Sequence, residues 1–220
     1  MDISEIKTLL ASEDPQLRLR GLVALRDYDS DTAVPLLVGQ RQDEAFLVRS
    51  FVAMGLGRKR NDQAYNTLLE MLESETDSNV QSEIANSLGL YGSVATERLV
   101  KLYEENDHWL VKRSILAIMP EMESPQSLLK IALQALKNDD QTISQAGIST
   151  LGLLAGTAQA QTALEALLPW VESDSWRSRL ALANALKRFN DQAAKDALAQ
   201  LRQDDNHKVV AAALEELLPS

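Results

Sequence analysis

At 220 residues, with 45% apolar and 25% charged side chains, the chain can bury a sizeable core and is too mixed for a disordered or fibrous protein. Its 32 acidic against 22 basic residues leave a net charge of −10, which argues against nucleic acid as a partner, since such binding rests on neutralising phosphates. Cysteine is absent, which excludes disulfides, thiolate metal sites and a cysteine nucleophile.

The opening MDISEIK is acidic and polar, unlike a targeting peptide. No apolar run approaches the ~20 residues of a membrane helix, so no membrane insertion is expected and the expected location is cytoplasmic. Helical periodicity begins at ISEIKTLLAS (3–12) and continues in DPQLRLRGLVAL (14–25), TAVPLLVGQ (32–40) and EAFLVRSFVAMGLG (44–57). It goes on through YNTLLEMLES (65–74), DSNVQSEIANSLG (77–89), ATERLVKLYEEN (95–106) and HWLVKRSILAIM (108–119). The last six segments are PQSLLKIALQALKN (125–138), DQTISQAGISTLG (140–152), TALEALLPWVES (162–173), SWRSRLALANAL (175–186), AAKDALAQLRQ (193–203) and NHKVVAAALEEL (206–217). Pro35 is expected within a first turn, Ser124–Pro125 at a helix start, and Pro169 as a kink in a long first helix.

Every second segment repeats one register. An anchor recurs at Leu17, Val48, Val80, Val111, Ile143, Ser178 and Val209, at spacings of 31, 32, 31, 32, 35 and 31 residues. Four residues on come Gly21, Val52, Ile84, Ile115, Gly147, Leu182 and Ala213; eight on come Leu25, Leu56, Leu88, Met119, Leu151, Leu186 and Leu217. Steps of four and eight share one helical face. A helical pair cannot bury its apolar stripe alone, but stacked pairs can. The expected fold is all-α: a right-handed α-solenoid of about seven helical hairpins, with residues 1–220 forming a single repeat domain.

The pattern Asp-x-x-Val-Arg-x-x-Ala-x-x-Ala-Leu-Gly, which these segments approximate, resembles HEAT repeats. With the period and the Trp-Arg-x-Arg form at 176–179, the chain looks most like the phycobilisome-lyase HEAT-like subclass, which includes the CpcE/CpcF bilin lyase subunits and NblB-like proteins. The resemblance implies a ladder in which a basic residue after each anchor (Arg18, Arg49, Lys112, Arg179) and the preceding Asp bond neighbouring repeats; Gln81, Ser144 and Val210 break the row. It also implies a phycobiliprotein-handling role, as a lyase subunit or chromophore-detaching factor. Arg20 or Arg113 would then pair bilin propionates, and Trp109 or Trp176 would stack on the tetrapyrrole. Deoxyhypusine hydroxylase, also of HEAT type, needs paired His-Glu iron ligands; here His108 precedes Trp109 and His207 precedes Lys208.

Residues that recur with the period read as structural. Asp14, Asp77 and Asp140 are expected helix caps, and the pairs Glu104–Glu105, Asp139–Asp140 and Asp204–Asp205 read as solvated turns. Histidines three repeats apart, about 30 Å at ~10 Å per hairpin, do not share a metal, and neither metal nor cofactor is expected apart from a bilin as bound substrate. Phe46, Trp109 and Trp176 share a slot at the array edge, where large aromatics either pack or anchor a partner.

The second helix of each hairpin is expected to line a concave groove through the slots two, three and six after the anchor. These hold Arg20, Phe51, Met54, Glu83, Asn86, Arg113, Gln145, Ser149 and Asn184. Phe51 and Met54 are apolar where a solvated face would be polar, which is how an interaction surface looks. Arg58–Lys59–Arg60 is a second candidate that also suits a helix C-terminal dipole. The expected function is a scaffold binding a partner protein through the concave face. Weak self-association through the apolar last helix (Val209–Ala213) is a further expectation.

Overall fold

The computed structural model describes residues 1–215. Among them are fourteen α-helices and no strand. Contacts divide the chain into a first compact unit, Met1–Met122, and a second from Glu123 onward. The first unit holds α1 (Ile3–Leu10), α2 (Pro15–Ala24), α3 (Ser30–Gly39), α4 (Phe46–Lys59), α5 (Asp62–Ser74), α6 (Ser78–Gly89), α7 (Thr96–Glu105) and α8 (Trp109–Ile118). The second holds α9 (Pro125–Leu136), α10 (Gln141–Gly152), α11 (Ala160–Leu167), α12 (Trp176–Leu186), α13 (Gln192–Leu201) and α14 (His207–Leu214).

Consecutive helices pair into seven hairpins, and the second helices stack in rows, α2–α4–α6–α8 in the first unit and α10–α12–α14 in the second. This is the stacking of an α-solenoid, and the repeated register explains it. The anchors Val48, Val80, Val111, Ile143 and Val209 are fully buried, and Ser178 nearly so. Leu17 is the exception: it is 37% exposed in a helix that packs on one neighbouring hairpin rather than two. Leu217, the last residue of the +8 row, lies outside the described residues.

Helix starts follow the sequence closely. Asp14 accepts a hydrogen bond from the Gln16 N–H, Asp77 from Asn79 and Val80, and Asp140 from Thr142. Pro125 occupies the first position of α9, though the Ser124 hydroxyl bonds the Ser127 hydroxyl (2.9 Å) instead of the backbone. Two proline expectations are corrected. Asp29 caps α3 through the Thr32 N–H, so the helix starts earlier than its apolar stripe and Pro35 lies in its interior, one backbone bond short. At Pro169 the α-helix ends rather than kinks: α11 stops at Leu167 and a 3₁₀ segment, Leu168–Glu172, completes the arm.

Close approach between stacked second helices depends on small residues. A Cβ built on Gly57 of α4 would lie 2.7 Å from the Ser87 Cβ and 2.9 Å from its Cα in α6; one on Gly152 of α10 would lie 2.8 Å from the Ala185 Cα in α12. Backbone cannot yield as a side-chain tip can. Gly57→Val is therefore expected to cost about 2 kcal/mol by overpacking. Urea denaturation would check this, with Gly39→Val, which meets nothing within 4 Å, as the control.

Candidate partner-binding site

One structural element recurs in every hairpin and was not anticipated. The residue five before the anchor is Ser12, Asp43, Glu75, Asn106, Asn138, Ser173 or Asp204, always a side chain with an acceptor oxygen. In all seven hairpins that oxygen accepts the N–H two residues on, turning the chain into the second helix. At the three arginine rungs the same side chain is the partner of the basic slot one hairpin earlier, whereas Lys112 pairs Asp107 of its own turn at 3.4 Å. Arg18 grips Asp43 through both oxygens (2.5 and 2.7 Å), Arg49 grips Glu75 (2.7 and 2.9 Å) and Arg179 grips Asp204 (2.5 and 2.9 Å).

Each guanidinium also donates to backbone carbonyls of its own turn, such as Arg49 to Asp43 O (2.8 Å). Where the slot carries Gln81, the pair becomes neutral and its direction reverses: Asn106 Nδ2 donates to Gln81 Oε1 at 2.8 Å, and Gln81 Nε2 donates to Glu75 O at 2.7 Å. The ladder is thus present, but its acid lies 25–26 residues downstream and is not the Asp preceding the Arg. Asp204 is correspondingly no solvated turn residue, since its side chain is 5% exposed.

Arg179 donates to both oxygens of Asp204 and brings that carboxyl down to about 2, against the upward push of burial. A folded value below the ordinary 3.8 means the stabilisation is complete above about pH 4 and is lost as pH falls towards 2. Asp204→Asn is expected to be less stable than wild type at pH 6 and to lose less on going from pH 4 to pH 2, as followed by urea titration.

The sequence-derived groove residues divide. In the first unit, Phe51, Met54, Glu83 and Asn86 come together around two adjoining pockets. The first, about 120 Å³, is lined by Leu22, Val23, Leu37, Phe51, Met54 and Arg58 among others. The second, about 340 Å³, is shallower and shares Met54 and Arg58 while adding Glu83, Asn86 and Leu90. Phe51 and Met54 are half-buried rather than swallowed by the stack. Val23 and Leu90, each 51% exposed, extend the apolar strip on either side. Burial raises the Glu83 carboxyl, opposed by the Arg58 charge and a hydrogen bond with Asn86. Arg20 and Arg113 are exposed and line neither pocket.

In the second unit, Ser149 and Asn184 are exposed and Gln145 is half-buried. The Ser149 hydroxyl donates to Gln145 O (3.1 Å) and Asn184 Nδ2 to Leu180 O (3.1 Å). Val23 and Arg26 were missed at the sequence level, although Val23 holds the slot that Met54 holds one hairpin later.

The basic cluster also separates. Lys59 Nζ donates to the Arg26 and Tyr28 carbonyls, and the Arg60 guanidinium is directed to Leu90 O (3.5 Å). Arg58 is exposed between the two pockets. Of the edge aromatics, Phe46 is 47% and Trp109 44% exposed, the latter ring stacked with His108 at 6.1 Å. Trp176 is half-buried, with Arg177 and Lys208 over its ring at 4.5 and 5.3 Å. In α14 Val209 is buried, Ala211 exposed and Leu214 43% exposed.

His108 caps α8 by accepting the Leu110 N–H. Among the described residues no three His, Asp or Glu side chains gather as metal ligands, and no helix is long and apolar enough to cross a membrane.

HEAT repeats match the chain over residues 3–89, 40–119 and 129–218. None of the curated proteins compared with it matches. Solved structures do. The complex of CpcE and CpcF of phycocyanin lyase from Nostoc sp. PCC7120 is 18% identical, with TM-score 0.57 over 99% of this chain and 95% of that one. An engineered protein is 18% identical, with TM-score 0.60 over 99% of this chain and 68% of that one. A Kap121p mutant is 15% identical, with TM-score 0.56 over 98% of this chain and 28% of that one. A lyase complex, an engineered protein and Kap121p share only the fold with this chain, and the repeats that match along nearly its whole length are what place it: it belongs to the HEAT-repeat family.

Proposed function

We propose that this chain is an interaction scaffold that holds a partner protein against the face of its first unit formed by α2, α4 and α6. The observation that carries the reading is the apolar strip at Phe51 and Met54. Two side chains in slots that a solvated face would fill with polar groups line adjoining pockets, flanked by exposed Val23 and Leu90. Half-buried apolar groups rimmed by charge are how a docking surface is built, and truncating such an anchor costs more than 2 kcal/mol where it is a hot spot. Affinity capture from the native lysate with wild type and Phe51→Ser/Met54→Asp, followed by mass spectrometry, tests it. A protein retained by wild type and lost at least tenfold by the variant is expected. Identical recovery by both removes this face as the docking site.

A second reading, a phycobiliprotein-handling factor, draws support from the likeness in fold to the CpcE–CpcF complex and from the cations gathered on Trp176. It rests on analogy of fold, which hosts many functions. Mixing the protein with phycocyanin and phycocyanobilin tests it: a change in absorbance or fluorescence is expected, and unchanged spectra remove it.

A further inference from the structure

The strip on α2, α4 and α6 carries information about what kind of partner it takes. Its first pocket, at about 120 Å³, has room for one aliphatic or aromatic side chain, and the shallower 340 Å³ depression beside it continues it as an open groove rather than as the enclosing cavity that buries most of a small ligand. The apolar positions Val23 and Met54 hold the same slot in successive second helices, so they are about 10 Å apart, the packing distance of neighbouring helices. That span matches anchors two turns apart on a helix, at 1.5 Å per residue.

The charge beside the strip is basic although the chain as a whole is at −10. Arg26 and Arg58 both line the first pocket. The Arg26 ion pair with Asp27 is long, at 3.4 Å, and both side chains are more than two-thirds exposed, so it is easily exchanged for a better acceptor. Arg58, exposed in the last turn of α4, borders both pockets beside Met54. Lys59, by contrast, is spent on the Arg26 and Tyr28 carbonyls. The acids nearby are Asp27, in that loose pair, and Glu83, whose carboxyl is raised by burial; three cations and no acid line the first pocket itself.

We infer that the strip binds an acidic amphipathic helix of its partner, seating one apolar side chain in the pocket between Leu22, Leu37 and Phe51 and placing carboxylates on Arg58 and Arg26. The inference deepens the scaffold reading and rests on it. Planar guanidinium forks favour carboxylates held bidentately, whereas a basic helix would meet two like charges at the mouth of the pocket.

The test uses the full chain and a random dodecapeptide phage library, panned in parallel on wild type, Arg58→Glu and Phe51→Ser, with helicity of all three checked by circular dichroism. Wild type is expected to enrich peptides with helically spaced Leu, Phe or Ile and an excess of Asp and Glu. Arg58→Glu, an exposed change that leaves the stack intact, is expected to lose these at least tenfold. A fluorescent peptide from the enriched set should also weaken at least tenfold between 50 and 500 mM salt. Enriched peptides with no acid excess, or the same peptides on Arg58→Glu, overturn the acidic partner. If that binding still vanishes in Phe51→Ser, the docking reading survives the failure. Enrichment indifferent to both variants sinks both. Sodium octanoate, added as competitor, assigns the pocket to small carboxylates and overturns the inference if it displaces every peptide irrespective of sequence.

Discussion

Replacing Arg49 with alanine is expected to lower stability by about 2–3 kcal/mol, although the residue lies in no catalytic or binding pocket. Its guanidinium donates to both oxygens of Glu75, whose side chain is 5% exposed, and to the carbonyls of Asp43 and Glu44. Removing it strands a carboxylate whose remaining hydrogen bonds come from the Thr76 and Asp77 N–H groups. Breaking one side of a buried pair costs roughly 3–5 kcal/mol; the 18% exposure of Arg49 places this pair below that range. Burial by itself pushes the Glu75 carboxyl up, but Arg49 and the turn N–H groups outweigh it and the net shift is downward. The penalty should therefore shrink as the pH falls through the ordinary glutamate value of 4.5 and the stranded acid takes up a proton.

The double variant Arg49→Gln/Glu75→Asn is expected to regain more than half of the loss, because it rebuilds at this rung the neutral pair that Gln81 and Asn106 form at the next one. Urea titrations of wild type, the single and the double variant decide the matter. A double variant no better than Arg49→Ala would mean that charge, and not the geometry of the rung, holds these hairpins together.

Leu88→Ala is expected to be the most damaging conservative change in the first unit, at about 3 kcal/mol and within the 2–5 kcal/mol seen for leucine truncation in tight cores. Leu88 is fully buried in α6, which packs on α4 and α8 as well as on its own hairpin partner α5. Each hairpin of a stack is held by its neighbours, so a cavity here weakens two interfaces together.

Much of this was legible in the sequence because a stack of like units repeats its physics. Every one of the fourteen helices followed from apolar spacing, and the anchors Val48, Val80, Val111, Ile143 and Val209 are buried as their shared face requires. Asp14, Asp77 and Asp140 cap as expected because capping is local. The partners of the arginines were not legible in this way. Asp204 reads as part of a solvated acidic turn with Asp205, and only the packing of one hairpin on the next brings Arg179 onto it, as it brings Arg18 onto Asp43. The row of acceptor side chains five before the anchor was the missed signal.

Phe51 and Met54 stood out because their slots predict polar residues, and they do meet at one strip with Glu83 and Asn86. Arg20 and Arg113 share the pattern but line neither pocket, since a slot fixes a direction and not a depth. Trp176 illustrates the same limit: the cations on its ring come from Arg177 beside it and Lys208 one hairpin on, the second visible only once the hairpins are stacked.

Hydrogen exchange of Leu88→Ala, resolved helix by helix, addresses the stacked-hairpin account most directly. The account predicts that protection falls steeply in α4 to α8, the helices that depend on α6 or its neighbours, while α10, α12 and α14 keep wild-type protection. Equal loss of protection in all fourteen helices would contradict it.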